Sequence, residues 1–176
     1  VERSEDVPFT PPLGLRIALI PAIVVLFYMP YHWSDMACGV MFAVVGITDA
    51  FDGYLARKLG QTSRLGAFLD PVADKLIVAT ALVLIVSRNP VWYVTLTSAV
   101  IIGREIGVSA LREWMAEIGA RKKMEVTQVA KFKTIVQIVG LSMMLFREDL
   151  FGLPIYEFGL ALTVVAAILT LWSMAV

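Results

Sequence analysis

Four aspartates dominate the chemistry available to this sequence. They lie in the stretch DAFDGYLARKLGQTSRLGAFLDPVAD, from Asp49 to Asp74. Asp49 and Asp52 are three residues apart and Asp70 and Asp74 four apart, so on helices each pair shares a face. Both pairs fall within apolar runs, where a mid-span aspartate costs about 2.5–3.5 kcal/mol on the insertion scale. Four unneutralised ones would cost on the order of 10 kcal/mol, as much as the whole net stability of a domain. Oxygen-seeking divalent cations supply the missing charge, and Mg²⁺ or Mn²⁺ suits an all-carboxylate set that neither His nor Cys joins. Structural ion pairs with Lys75, Arg57 or Arg104 are the alternative source of neutralisation. Gly53 lets a ligand approach the backbone, Ala56 keeps the same face free of bulk, and Gly66 opens the next helix without a side chain. Arg57 can clamp a pair of phosphate oxygens, and Ser63 in the intervening turn offers a hydroxyl. Carboxylates with a paired metal site, small residues and an arginine describe a site for a diphosphate carried by a lipid.

The elements that must position these groups are membrane spans. Of 176 residues, 59% are hydrophobic and only 17% charged, with a mean hydropathy of +0.78, against roughly 45–50% apolar and 25% charged in soluble domains. Runs near the length of about 20 residues that a span requires occur at Leu13–Met29, Asp35–Ala56, Ala67–Val86, Val91–Trp114, Val126–Phe146 and Leu153–Met174. These predict an all-α, polytopic membrane protein, a six-transmembrane-helix bundle forming one domain over residues 1–176. Residues 1–8 read as a polar tail, and the first run as a true span, since Glu2, Glu5 and Asp6 precede it and no small-residue cleavage site follows. Pro30, Pro90 and Pro154 fall beside span boundaries, where a missing amide costs little.

Lys and Arg set the orientation. Arg57, Lys58 and Arg64 follow the second run, and Arg112, Arg121, Lys122, Lys123, Lys131 and Lys133 surround the connection after the fourth, whereas the opposite connections carry Arg88 and Arg147. Both termini and the carboxylates are therefore expected on the cytoplasmic side of the membrane. At about 1.5 Å per residue, Asp49 lies roughly 12 Å below Arg57, and Asp74 a similar depth below Gly66, so the two pairs sit at one level near the headgroups. Trp33, Trp92, Tyr93, Trp114 and Trp172 fall at span ends as interfacial anchors. Fifteen basic residues balance fifteen acidic ones, which leaves no electrostatic footprint for nucleic acid. Cys38 is the sole cysteine and reads as a small buried hydrophobe, and His32 as a surface residue.

Asp49, Asp52, Gly53, Ala56, Arg57, Gly66, Asp70 and Asp74 match, without a spacing error, the pattern D-x2-D-G-x2-A-R-x8-G-x3-D-x3-D. In this the chain resembles the CDP-alcohol phosphatidyltransferases. The segments FLDPVADK, GREIGVSALREWMAE and VAKFKT are similar to the bacterial branch of that family that acts on sn-glycerol 3-phosphate. The resemblance spans about residues 16–174 and departs at the start, where Pro11, Pro12, Leu13 and Gly14 stand in place of the Asn or Thr usual shortly before the position of Arg16. It implies transfer of a phosphatidyl group from CDP-diacylglycerol to the 1-hydroxyl of sn-glycerol 3-phosphate, releasing CMP. It further implies that Asp49, Asp52, Asp70 and Asp74 hold two metal ions, that Gly53, Arg57 and Ser63 contact the nucleotide, and that Asp74 doubles as the base. Sister enzymes of the family use serine, an inositol phosphate or phosphatidylglycerol as acceptor.

An acceptor phosphate needs cations separate from the metals. Arg104 and Arg112, eight residues apart, return to within about a quarter turn of each other on a 3.6-residue helix. Lys131 and Lys133 begin the fifth run and point to nearly opposite faces, so that one of them reaches the site. A structural ion pair is the alternative for Arg104, and snorkelling for either lysine. Gly103 and Gly107 form a GxxxG that suits packing within the bundle or a homodimer. The rival class is a divalent-cation transporter, which predicts acidic residues spread through the membrane depth; here four share one level.

Overall fold

The computed structural model describes residues 11–59, 64–119 and 128–175. The tail at residues 1–8 and the basic loop residues Arg121, Lys122 and Lys123 lie outside them. Six helices follow in order: α1 (Pro11–Tyr28), α2 (Trp33–Leu59), α3 (Arg64–Arg88), α4 (Trp92–Glu117), α5 (Gln128–Phe146) and α6 (Ile155–Ala175). Every apolar run forms one helix. α2 and α4 continue three residues past the predicted ends, because a helix need not stop where the polar residues begin. Pro30, Pro90 and Pro154 stand outside the helices. Besides the helices, the described residues hold one antiparallel bridge, Leu150–Leu153. α4 closes at Ile118, and Gly119 takes a left-handed φ of 76°, the backbone state that lets glycine end a helix.

Among the described residues, three helices are long and apolar enough to cross a membrane: Trp33–Asp52, Trp92–Glu117 and Ile155–Trp172, with shorter apolar stretches at Gly14–Tyr28 and Phe132–Phe146. Large apolar side chains face outward along the bundle, Val25, Phe51, Leu96, Ile135 and Ile168 among them, as a surface solvated by lipid requires. Trp33, Trp92, Trp114 and Trp172 are also exposed near helix ends. The chain is thus an all-helical membrane protein.

α5 packs on α6 and α2, α1 on α2 and α3, and α4 on α3 and α6. Without a strong apolar driving force between helices, close contact needs small residues. A Cβ on Gly39 would lie 2.6 Å from the Phe146 backbone nitrogen, one on Gly46 2.7 Å from Ile138 Cγ2, and one on Gly159 2.8 Å from the Gly140 carbonyl oxygen. Gly39→Ala must push α2 off α5, and overpacking of this kind costs about 1–3 kcal/mol. Thermal unfolding in detergent should show that loss for Gly39→Ala and none for Gly103→Ala, since Gly103 has nothing within 4 Å. Buried Thr163 and Thr170 bond back to the Gly159 and Ala166 carbonyls at 2.8 and 2.6 Å, which satisfies their hydroxyls within the helix.

The end of the bundle away from the aspartates carries its own polar lock. Arg88 on α3 pairs with Asp35 on α2, donates to the Phe27 carbonyl on α1 at 2.9 Å, and lies 4.0 Å from the centroid of the Phe27 ring. His32 is exposed, as its sequence context implies, and its Nε2 lies 3.2 Å from Glu148 between two connections of that end.

Candidate active site

Asp49 and Asp52 lie on the later half of α2, Asp70 and Asp74 on the first turns of α3. Asp49 of the first pair comes into the same neighbourhood as Asp70 and Asp74 of the second. The carboxylates of Asp49 and Asp74 approach each other across the two helices. Two carboxylates so placed need a positive charge or a shared proton, and the structure supplies the charge from an unexpected place. Arg16, on α1, pairs with Asp49, and its Nη1 lies 3.4 Å from Asp70 Oδ1 and 3.8 Å from Asp74 Oδ1. Its side chain is 8% exposed. One buried guanidinium therefore gathers carboxylates from both pairs, and α1 completes the site.

Of the ion-pair partners considered from sequence, the side chain of Arg57 lies outside the described residues, and the other two are engaged elsewhere. Lys75 donates instead to the Ser109 hydroxyl on α4, and Arg104 pairs with Glu105 at 3.1 Å. A lone arginine at the polar start of an apolar run reads as a flank, and only the packing of α1 against α2 and α3 shows what it does. Arg16 could have been flagged by cost alone, since a span-borne charge needs a partner.

Three carboxylates reaching one positive centre offer an oxygen-only donor set with excess negative charge, which fits a hard divalent cation. Gathered around the guanidinium as they stand, no three acidic groups among the described residues form a ready-made metal cage. Asp52 is not among the Arg16 pairs. It lines, with Arg16 and Asp49, one end of a groove of about 330 Å³ between α1 and α2. The rest of that groove is mainly apolar: Leu15, Leu19, Met41, Val44 and Val45, with Thr48. A charged end on an apolar trough is the shape of a lipid with a polar head. Of the other motif residues, Gly53, Ala56 and Arg57 lie on α2 and Gly66 on α3; their surroundings, and the whole of Ser63, lie outside the described residues.

A second polar cluster joins α4 and α5. Lys133 is 3% exposed and donates to Glu105 Oε1 at 2.9 Å, and the same oxygen receives Arg104 Nη1 at 3.1 Å. Lys133 is therefore turned inward, while the side chain of Lys131 lies outside the described residues. Arg104 takes the carboxylate partner that was the alternative to phosphate binding. Arg112 is exposed on α4, and its charge reaches Lys133. Glu105 escaped the sequence reading because the arginine beside it drew attention, although a glutamate in mid-span is as costly as any of the aspartates.

Comparison with known proteins agrees with the geometry. A model of the CDP-alcohol phosphatidyltransferases matches residues 14–172. The proteins named CDP-diacylglycerol–glycerol-3-phosphate 3-phosphatidyltransferase from Salmonella typhimurium (strain LT2), Shigella flexneri and Escherichia coli (strain K12) are each 50% identical to this chain over 159 residues, 90% of this chain and 86% of each relative. With three of the four motif aspartates gathered around Arg16 and the match running nearly end to end, the chain belongs to the CDP-alcohol phosphatidyltransferase family.

Proposed function

We propose that this chain transfers a phosphatidyl group from CDP-diacylglycerol to sn-glycerol 3-phosphate, giving phosphatidylglycerophosphate and CMP in phospholipid synthesis. One observation carries the reading: carboxylates from α2 and α3 converge around buried Arg16 at the head of an apolar groove. The relatives carry the name of that reaction. A cation transporter is disfavoured because Asp49, Asp70 and Asp74 meet at one level instead of marking a path through the bundle.

In this reading Asp49, Asp52, Asp70 and Asp74 would hold two Mg²⁺ or Mn²⁺ ions, which would supply positive charge for the entering acceptor oxygen and the leaving CMP oxygen. The groove between α1 and α2 receives the apolar part of the CDP-lipid, with Arg16 facing its phosphates. Gly53, Ala56, Arg57, Ser63 and Gly66 surround the nucleotide end. Asp74 takes the proton from the 1-hydroxyl of the acceptor. That oxygen bonds to the phosphatidyl phosphorus as the bond from phosphorus to the CMP oxygen breaks, with no covalent enzyme intermediate. Arg104, Arg112, Lys133 and Lys131 provide the cations for the acceptor phosphate.

The same reading makes all six helices spans of the bacterial inner membrane, with the site open to the cytoplasm, as the excess of Lys and Arg on that side supports. A homodimer through α4 fits too, because Gly103 and Gly107 meet nothing within 4 Å. The test is CMP release from CDP-diacylglycerol by the purified chain against a panel of acceptors. Release with sn-glycerol 3-phosphate, and not with serine, an inositol phosphate or phosphatidylglycerol, is expected. A preference for any of the others overturns the acceptor assignment and keeps the chemistry.

A further inference from the structure

We infer that Glu105 is a positioning residue for the acceptor phosphate, acting through Lys133 and Arg104; the inference rests on the transferase reading above. A glutamate in a phosphate site is at first sight misplaced, since its charge repels the ligand. Its contacts explain it. One carboxylate oxygen accepts from both Lys133 Nζ and Arg104 Nη1, so the two cationic nitrogens stay within about 6 Å of each other although they belong to different helices. Lysine on a span end ordinarily snorkels toward water. Lys133 instead turns into the bundle, and a buried ammonium stays put only with a counter-charge. Without Glu105 the two cations repel each other, with Arg112 adding to the repulsion.

The backbone of the same glutamate is tied to the helix that carries Asp74. The Ser109 hydroxyl donates to the Glu105 carbonyl at 2.7 Å and accepts from Lys75, the residue after Asp74. A chain of contacts thus runs from α3, beside Asp74, through α4 to Lys133 on α5. Glu105 fixes where the acceptor phosphate sits relative to the group that takes the acceptor's proton.

Glu105→Gln keeps the size and an acceptor oxygen but removes the charge. It is expected to raise the KM for sn-glycerol 3-phosphate roughly tenfold or more, as loss of one partner of a hydrogen-bonded charge pair does. The KM for CDP-diacylglycerol should stay within about twofold, because that interaction is untouched. Glu105→Asp, which keeps the charge on a shorter arm, should recover part of the loss. Equal rises in both KM values would mean that Glu105 only holds the bundle together, and an unchanged or lowered acceptor KM would mean that it does not order the cations; each overturns the inference.

Inorganic phosphate gives a second readout that does not depend on turnover. The unmodified chain should gain thermal stability from phosphate, and Glu105→Gln should lose that gain. No gain in the unmodified chain, or a full gain in the variant, overturns the inference whatever the acceptor proves to be. Failure of the unmodified chain to release CMP with sn-glycerol 3-phosphate counts against the transferase reading instead. Should Glu105→Gln not fold, Glu105→Asp carries both measurements, with a smaller rise in acceptor KM and a weakened phosphate response expected.

Discussion

Replacing Asp49 by Asn is expected to abolish CMP release, by roughly a thousandfold or more, which is the rate equivalent of the several kcal/mol that a metal contributes to a charged transition state. Asp49 pairs with Arg16 and approaches Asp74, so it stands at the centre of the donor set, and an amide there cannot carry the charge that a divalent ion needs. A chelator should have the same effect on the unmodified chain, reversed by added Mg²⁺ or Mn²⁺. Full turnover in EDTA would sink the metal reading. Asp74→Asn should be equally inactive yet still bind CDP-diacylglycerol if the principal role of Asp74 is to take the proton. Loss of binding as well would make it chiefly a ligand.

The second large effect concerns Arg16. Its guanidinium is buried and faces Asp49, which is one-quarter exposed, and Asp70 and Asp74, which are about half exposed. Removing one partner of a buried ion pair costs about 3–5 kcal/mol, but solvent screens the share of the two more exposed aspartates, so most of the loss comes from Asp49. Arg16→Ala in EDTA should therefore melt on the order of 10 °C below the unmodified chain. Excess Mg²⁺ should close most of that gap, because a divalent ion on the same carboxylates replaces the missing charge. A gap that Mg²⁺ leaves unchanged would show that Arg16 matters only to helix packing, and no gap at all would show that the carboxylates are neutralised elsewhere.

These two residues mark what was legible in the sequence. The aspartates announced themselves because their expense in an apolar run and their spacing of three and four are both properties of neighbours in the chain. The helices were legible for the same local reason, and their ends drifted by up to three residues, as where Arg57 and Lys58 extend α2 beyond the apolar run. Helical phase separated Lys133 from Lys131, but that Lys133 faces inward needed the packing of α5. Arg16 and Glu105 were not found, because their meaning lies in partners at least 28 residues away, Lys133 for the glutamate and Asp49, Asp70 and Asp74 for the arginine. The cost of a charge within a span flags such a residue but does not name the partner that offsets it.

Arg16 and Arg88 together have a consequence for height. Each joins α1, α2 and α3, one at the level of the aspartates and the other at the far end. Sliding any of the three helices by a single residue, about 1.5 Å along its axis, would strain both clamps at once. The carboxylates are thereby held at one altitude relative to the whole bundle. A lipid substrate offers its phosphates at an altitude that the bilayer decides, and it cannot rise or sink freely to meet a misplaced site. Two arginines at opposite ends of the same three helices work as a ruler, and the reacting groups of protein and lipid are brought level before any chemistry begins.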